Sequence, residues 1–148
     1  MSDKEASVIK VDEYIIRVDR LYTKDHEWVL IEKDKGTRVG ITDYAQKSLH
    51  EIVYVEMPKV GSTVKQMETL GTVESIKAVS EVFAPLSGKI IEVNEKLVST
   101  PELINESPYD EGWIAVIEPS ALDEEIKNLL THKEYGKLIS DIIRKERE

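Results

Sequence analysis

The sequence predicts a mainly β protein, a compact sandwich or barrel of short strands followed by a helical tail. Three observations support this fold class. Short runs rich in β-branched residues are separated at regular intervals by glycine-containing turns. Residues 60–64 and 86–90 resemble weak copies of one unit, placed on either side of a central hairpin. Beyond residue 120, apolar residues recur at spacings of three and four, which is typical of amphipathic helices.

The chain divides into an extension and one domain. Residues 1–20 form an N-terminal extension whose β-branched runs predict an added strand, and residues 21–148 form a single domain. Within the domain, residues 28–31 and 37–41 predict a hairpin, and residues 52–56 alternate as a further strand.

A short helix is predicted between this hairpin and the strand that follows. It begins at Thr42 and Asp43, where Gln46 stands three residues after the aspartate. The helical tail covers residues 120–147, in which Ser120 and Thr131 each begin a capping-box pattern and so predict two helices.

The central hairpin places Lys77 at its tip. Residues 68–76 read as the strand before it and residues 82–93 as the strand after it, bent at Pro85 and at Ser87-Gly88. A lysine at a hairpin tip presents an accessible amine. Because the ordinary lysine pKa is about 10.4, an enzyme must deprotonate the amine before it can be acylated efficiently.

Composition excludes several classes of function. The 148-residue chain has a net charge of −9 and a pI of about 4.9, which argues against nucleic acid as a partner. It has no long apolar run, and its first twenty residues are too acidic for a transit peptide, so we expect a cytoplasmic protein with no membrane partner. The absence of cysteine excludes disulfides, thiolate metal sites and a cysteine nucleophile.

The sequence also predicts that the chain is not an enzyme. Its three histidines lack the spacing of metal ligands, and it has no G-x-S-x-G motif, so neither catalytic residues nor a metal site are expected. His26 and Glu27 suggest a base and its orienting acid. If both lay in a strand, however, they would point to opposite faces and would not meet.

Several segments resemble one family in order and spacing. They are HEWV at His26, GITDYAQ at Gly40, IVYVEMPKVG at Ile52, GTVESIKAVSEVFAPLSG at Gly71 and PELINESPYDEGW at Pro101. From Tyr22 onward the chain therefore resembles the H-protein family of the glycine cleavage system. The resemblance implies a lipoyl-domain-like barrel-sandwich hybrid with quasi-twofold symmetry.

The resemblance also implies a cofactor and its site. Lipoate would be attached to Lys77 by an amide bond, and Glu74 and Gly88 would be recognised by the lipoylating enzyme. Glu27 and Glu81 would line a cleft for the loaded arm, where a carboxylate can bind the cationic amine through a charge-assisted hydrogen bond.

The implied function is that of a monomeric shuttle. It would carry the aminomethyl group of glycine from a pyridoxal-phosphate-dependent glycine decarboxylase to a tetrahydrofolate-dependent aminomethyltransferase. It would then carry the dihydrolipoyl electrons to an FAD-containing dihydrolipoyl dehydrogenase. A lipoate ligase or an octanoyltransferase would attach the cofactor.

Three alternatives share the attachment chemistry. Biotin carriers usually have Met on both sides of the lysine, where this chain has Ile76 and Ala78, and acyltransferase lipoyl domains usually have Asp-Lys-Ala. A lipoyl or octanoyl relay in lipoate assembly, with no role in glycine turnover, would carry the same motif.

One departure from the family pattern is His50, which stands where glycine is usual and where a left-handed helix cap is expected.

Overall fold

The computed structural model describes residues 8–32 and 34–148. Strands within these residues form three antiparallel sheets, and the mainly β prediction is confirmed. The first seven residues of the predicted N-terminal extension lie outside the described part of the chain.

The sheets have two, six and three strands. The two-stranded sheet pairs β1 (Val8–Val11) with β2 (Tyr14–Arg17). The six-stranded sheet has the order β3-β4-β5-β11-β10-β7 and comprises β3 (Leu21–Tyr22), β4 (Glu27–Glu32), β5 (Gly36–Ile41), β7 (Thr63–Val64), β10 (Gly88–Val93) and β11 (Ala115–Pro119). The three-stranded sheet has the order β6-β8-β9 and comprises β6 (Ile52–Glu56), β8 (Thr69–Ser75) and β9 (Val79–Phe83).

Helices follow strands β5, β10 and β11. They are α1 (Asp43–Leu49), α2 (Lys96–Ser99), α3 (Leu103–Glu106), α4 (Leu122–Glu125), which continues as a 3-10 turn over Ile126–Asn128, and α5 (His132–Glu146). The single-turn helices α2 and α3 and strand β11 were not predicted from the sequence.

Two apolar clusters make up the core. The larger lies between the six-stranded and three-stranded sheets, with Val29 and Ile90 from the first and Val73 from the second completely buried. The smaller is aromatic and lies under α5, where the rings of Tyr22 and Tyr135 stack with centroids 4.5 Å apart. Burial of this apolar surface is the main force that holds the sheets and the tail together.

The N-terminal extension contains two strands where the sequence predicted one. β1 and β2 pair with each other, with Ile9 opposite Ile16, and the hairpin packs on α5. Ile16 is buried in the aromatic cluster, and Arg17 forms an ion pair with Asp110. The described part of the extension is therefore packed into the domain and not simply appended to it.

The long strand predicted over residues 82–93 is wrong in its extent. The structure divides it into β9, which already begins at Val79, and β10, which begins at Gly88. Pro85 lies between them, where it has no amide for a sheet hydrogen bond, and its carbonyl accepts a bond from Gln66. The chain therefore changes sheets at this proline.

Of the two predicted capping boxes, one is present. The Thr131 hydroxyl accepts a hydrogen bond from the Glu134 amide, and the Glu134 carboxylate accepts one from the Thr131 amide. The box predicted at Ser120 is wrong, because α4 begins after Ala121 and has no side-chain cap. The carboxylate of Glu125 is instead bound to the amide and hydroxyl of Ser87, which ties α4 to the sheet.

His50 ends α1 with a positive φ of 67° and a ψ of −149°. This conformation strongly favours glycine. It is not the left-handed αL cap expected there, because its ψ is far from the αL value of about +47°. Asn105 stabilises the turn, since its side-chain amide donates to the carbonyl of His50 at 2.8 Å and its oxygen accepts from the amide of Ile52 at 2.9 Å.

Candidate functional site

Lys77 lies in a tight turn between β8 and β9 that Ser75 organises. The Ser75 amide donates to the Ala78 carbonyl at 2.8 Å, and the Ser75 hydroxyl accepts from the amides of Ala78 at 3.1 Å and Lys77 at 3.3 Å. Ser75 is itself buried. These three hydrogen bonds from the buried Ser75 hold the backbone of the turn.

The side chain of Lys77 is exposed at this tip. Within the described residues, its amine has neither a hydrogen-bond nor an ion-pair partner. The neighbouring Ile76 is 69% exposed, so the tip projects from the sheet. The amine is therefore accessible from solvent.

The two predicted recognition residues lie in different sheets. Glu74 belongs to the hairpin that carries Lys77 and pairs with Val79. Gly88 begins β10 in the six-stranded sheet, and a Cβ atom there would overlap the carbonyl oxygen of Glu118. Packing alone therefore requires glycine at position 88.

The two predicted cleft acids differ in environment. Glu81 is exposed on β9 and accepts a hydrogen bond from the Thr69 hydroxyl at 2.8 Å. Glu27 is buried, and its carboxylate accepts bonds from the Thr23 hydroxyl and from the Phe83 amide at 3.1 Å. The Phe83 contact joins Glu27 to the strand that carries Glu81.

Burial dominates the electrostatics of Glu27. Desolvation raises the pKa of its carboxyl group from 4.5 to about 7, although the hydrogen bonds from Thr23 and Phe83 act in the opposite direction. The group therefore titrates near neutral pH and can hold or release a proton there. Acids with strongly shifted pKa values are common at functional sites.

His26 does not act as the partner of Glu27. It lies in the turn before β4 with a φ of 74°, and its Nδ1 atom shares a hydrogen bond of 2.9 Å with the Tyr135 hydroxyl. The Tyr135 hydroxyl is also bonded to that of Thr42, 2.7 Å away. The Tyr135 hydroxyl thus links α5 both to the turn before β4 and to the N-cap of α1, and these contacts of His26 give no support to a base-and-acid pair.

Other types of site find no support in the described residues. These residues contain no group of three or more His, Cys, Asp or Glu side chains that could hold a metal ion. None of their helices is both long enough and apolar enough to cross a membrane.

Sequence reasoning missed the residues that support the site. Ser75 stands two residues before Lys77, and a serine at the start of a tight turn is a known signal for a side-chain bond to the following amides. Thr23 lies four residues before Glu27, and its hydroxyl is both donor and acceptor to that residue. Only the fold reveals this pair, because a turn brings the two residues together.

A small β protein with an exposed lysine at a hairpin tip, unpaired within the described residues, resembles a carrier domain. The family model of the glycine cleavage H-protein matches residues 20–142. A probable glycine cleavage system H protein from Pyrococcus furiosus is 52% identical over 135 residues, covering 91% of this chain and 100% of the relative. A glycine cleavage system H protein from Geobacillus thermodenitrificans is 52% identical over 120 residues, 81% of this chain and 93% of the relative.

A solved structure agrees with these matches. The crystal structure of a glycine cleavage system H protein from Mycobacterium marinum superposes with a TM-score of 0.76 at 43% identity, covering 82% of this chain and 97% of that one. The chain belongs to the glycine cleavage H-protein family. Membership supports a role in the glycine cleavage system and as a lipoyl carrier.

Proposed function

We propose that this chain is the lipoate-bearing shuttle of glycine cleavage and that Lys77 is its attachment residue. The observation that carries the proposal is the exposed, unpaired amine of Lys77 on a turn fixed by Ser75. The residues fit the group, because the tip leaves space for an amide-linked arm. The chain also has no cysteine that could form a mixed disulfide with the arm.

When attached, lipoate supplies a dithiolane that can accept the aminomethyl group and then carry two electrons. The protein contributes a fixed anchor and transient docking. A tethered arm gives each docked active site a high effective concentration of the group, and small polar interfaces allow release between steps. The proposed partners are glycine decarboxylase, aminomethyltransferase and dihydrolipoyl dehydrogenase, which meet a monomeric carrier in the cytoplasm.

Glu81 and Glu27 are proposed to hold the loaded arm between partners. Glu81 offers an exposed carboxylate to a cationic amine, while Glu27 lies deeper and is connected to β9 through Phe83. An approaching cation favours the ionised form of Glu27, because an opposite charge lowers the pKa of a carboxyl group. Proton release from Glu27 would then accompany binding of the amine.

Glu74 and Gly88 are proposed to be recognised by the lipoylating enzyme, either a lipoate ligase or an octanoyltransferase. Glu74 faces outward on the modified hairpin, whereas Gly88 is buried. Since an alanine at position 88 would disturb the sheet, the recognition role is tested at Glu74. Glu74→Gln should slow lipoylation and leave thermal unfolding nearly unchanged.

The attachment residue is tested by mass spectrometry. After co-expression with a lipoate ligase, the wild-type protein should gain one lipoyl group, and Lys77→Arg should gain none. Lys65→Arg is the matched control, because Lys65 is an exposed lysine just before another turn of the same fold. A lipoyl mass on Lys77→Arg would disprove the assignment.

Reconstitution with the three partner enzymes tests the glycine role. Lipoylated wild-type protein should support release of CO₂ from glycine, whereas Lys77→Arg should not. A lipoylated protein that supports no glycine turnover, but donates its acyl group to other proteins, would instead establish the relay function.

A further inference from the structure

The outer face of the three-stranded sheet lies next to Lys77. Directly opposed residues of neighbouring strands share a face, and the register gives two such rows. The outer face consists of Tyr54, Glu74 and Val79 in the row nearest the tip, and of Glu56, Thr72 and Glu81 in the next row. The row between them points inward, where Val55 and Val73 are buried.

The row nearest the tip exposes large apolar groups. Tyr54 is 56% exposed and Val79 is 67% exposed, and Ile76 beside Lys77 is 69% exposed. Single exposed apolar residues are common, but a group of them beside one exposed lysine is typical of an interaction surface. Tyrosine is also among the residues that most often dominate binding energy.

The charged residues of the outer face are all acidic. Glu56, Glu74 and Glu81 contribute three carboxylates, and none of the six residues of the outer face is basic. The chain as a whole carries a net charge of −9. A partner surface that complements this pattern has an apolar centre bordered by lysine or arginine side chains.

We propose that the outer face, together with Ile76, docks the enzyme that acylates Lys77, through an apolar recess bordered by basic residues. This inference rests on the proposed function. Before acylation, Lys77 offers only its own four-carbon stem. An enzyme that acts on its amine must therefore approach the tip closely and cover Ile76 and Val79. Partners of the loaded protein are reached by a longer arm and have less need of this contact.

The reaction used as the assay is ligation of lipoate. A lipoate ligase converts lipoate and ATP into lipoyl-adenylate and pyrophosphate. The Lys77 amine then attacks the acyl carbon, an amide bond forms, the nitrogen loses a proton, and AMP leaves. Intact mass followed over time gives kcat and KM for the unmodified protein as substrate.

Val79→Thr and Val60→Thr form a matched pair. Both variants replace a methyl group of an exposed valine by a hydroxyl group. Val60 is 55% exposed and lies beyond the C-terminal end of β6, outside the outer face. Val79→Thr should lower kcat/KM about fourfold, mostly through KM, because one apolar group is no longer buried on docking. Tyr54→Ser should lower it about tenfold or more. Val60→Thr should match the wild-type protein.

The acidic border is tested in the same assay. Glu56→Gln combined with Glu81→Gln should raise KM and weaken its dependence on salt, since two charges of the outer face are lost. The control combines Glu92→Gln with Glu118→Gln, which removes two exposed carboxylates from the six-stranded sheet. Thermal unfolding of each variant verifies that it is folded.

The outcomes separate the two proposals. A wild-type protein that neither a lipoate ligase nor an octanoyltransferase modifies would disprove the proposed function. A modified wild-type protein, with equal kcat/KM for Val79→Thr and Val60→Thr, would disprove docking at the outer face. Loss of glycine turnover in Val79→Thr with unchanged ligation would also disprove it, because the occupant would then be a partner of the loaded protein.

Discussion

At the scale of single residues, Glu27 is an acidic side chain whose burial opposes its ionisation. Its carboxyl pKa is raised from 4.5 to about 7, so the folded protein binds this proton more tightly than the unfolded chain does. The resulting stability is fully present below pH 4.5 and is lost as the pH rises through 7. The difference in free energy of unfolding, wild type minus Glu27→Gln, should fall by about 1–3 kcal/mol over this range.

Urea unfolding at pH 4.5, 6 and 7.5 measures this difference. Glu81→Gln removes an exposed carboxylate from the same region and serves as the control. Parallel pH profiles for the wild type and Glu27→Gln would contradict the burial of an ionisable Glu27.

His50 is a second residue whose effect on stability can be measured, because its backbone conformation should lower the free energy of unfolding. A φ of 67° with a ψ of −149° is a conformation that non-glycine residues rarely adopt. His50→Gly should therefore raise the free energy of unfolding by about 1 kcal/mol, after the extra entropy of the unfolded glycine is subtracted. His50→Ala keeps the strain and should bring no such gain. Equal stabilities of the two variants in urea would show that the turn stores no strain.

At the scale of elements, the C-terminal helix α5 depends on its cap. Thr131→Ala removes the hydroxyl that binds the Glu134 amide and should lower stability by about 1 kcal/mol. Ser120→Ala should change it by less than about 0.5 kcal/mol, because Ser120 caps no helix. Thermal denaturation compares the two. A larger loss in Ser120→Ala would contradict this assignment of the caps.

Thr131 and Ser120 also show which features of the fold can be predicted from the sequence. A capping box and a strand are local patterns, so Thr131 and the strand of residues 52–56 were predicted correctly. The cap at Ser120 failed because its neighbourhood is set by a distant contact, in which Glu125 binds Ser87. The break at Pro85 has a related cause, since the chain leaves one sheet for the other at that residue.

In the candidate site, too, local features could be predicted from the sequence and long-range contacts could not. Lys77 could be proposed from its own neighbours in the sequence and from the family resemblance. The sequence did not reveal that Glu27 would be buried, because its environment comes from Thr23 and from Phe83, which is 56 residues away. The roles of Lys77, Glu27, Glu74, Glu81 and Gly88 are proposals.

At the scale of the whole molecule, the N-terminal hairpin is part of the packed structure. Ile16 is buried against the aromatic cluster, whereas its strand partner Ile9 is 37% exposed. Ile16→Ala should lower the free energy of unfolding by about 2–5 kcal/mol, and Ile9→Ala by less than half of that amount. Similar losses for both variants in urea would show that the hairpin does not contribute to the core.

The three hydrogen bonds that Ser75 makes within the turn would let the Cα atom of Lys77 act as the pivot of an attached arm. Motion of a loaded arm would then come from rotation about the side-chain bonds beyond that pivot, and not from wandering of the loop. Every enzyme that docks near the tip would find the arm attached at the same point and able to reach the same distance. A series of active sites could therefore be served in turn without any rearrangement of the carrier's backbone.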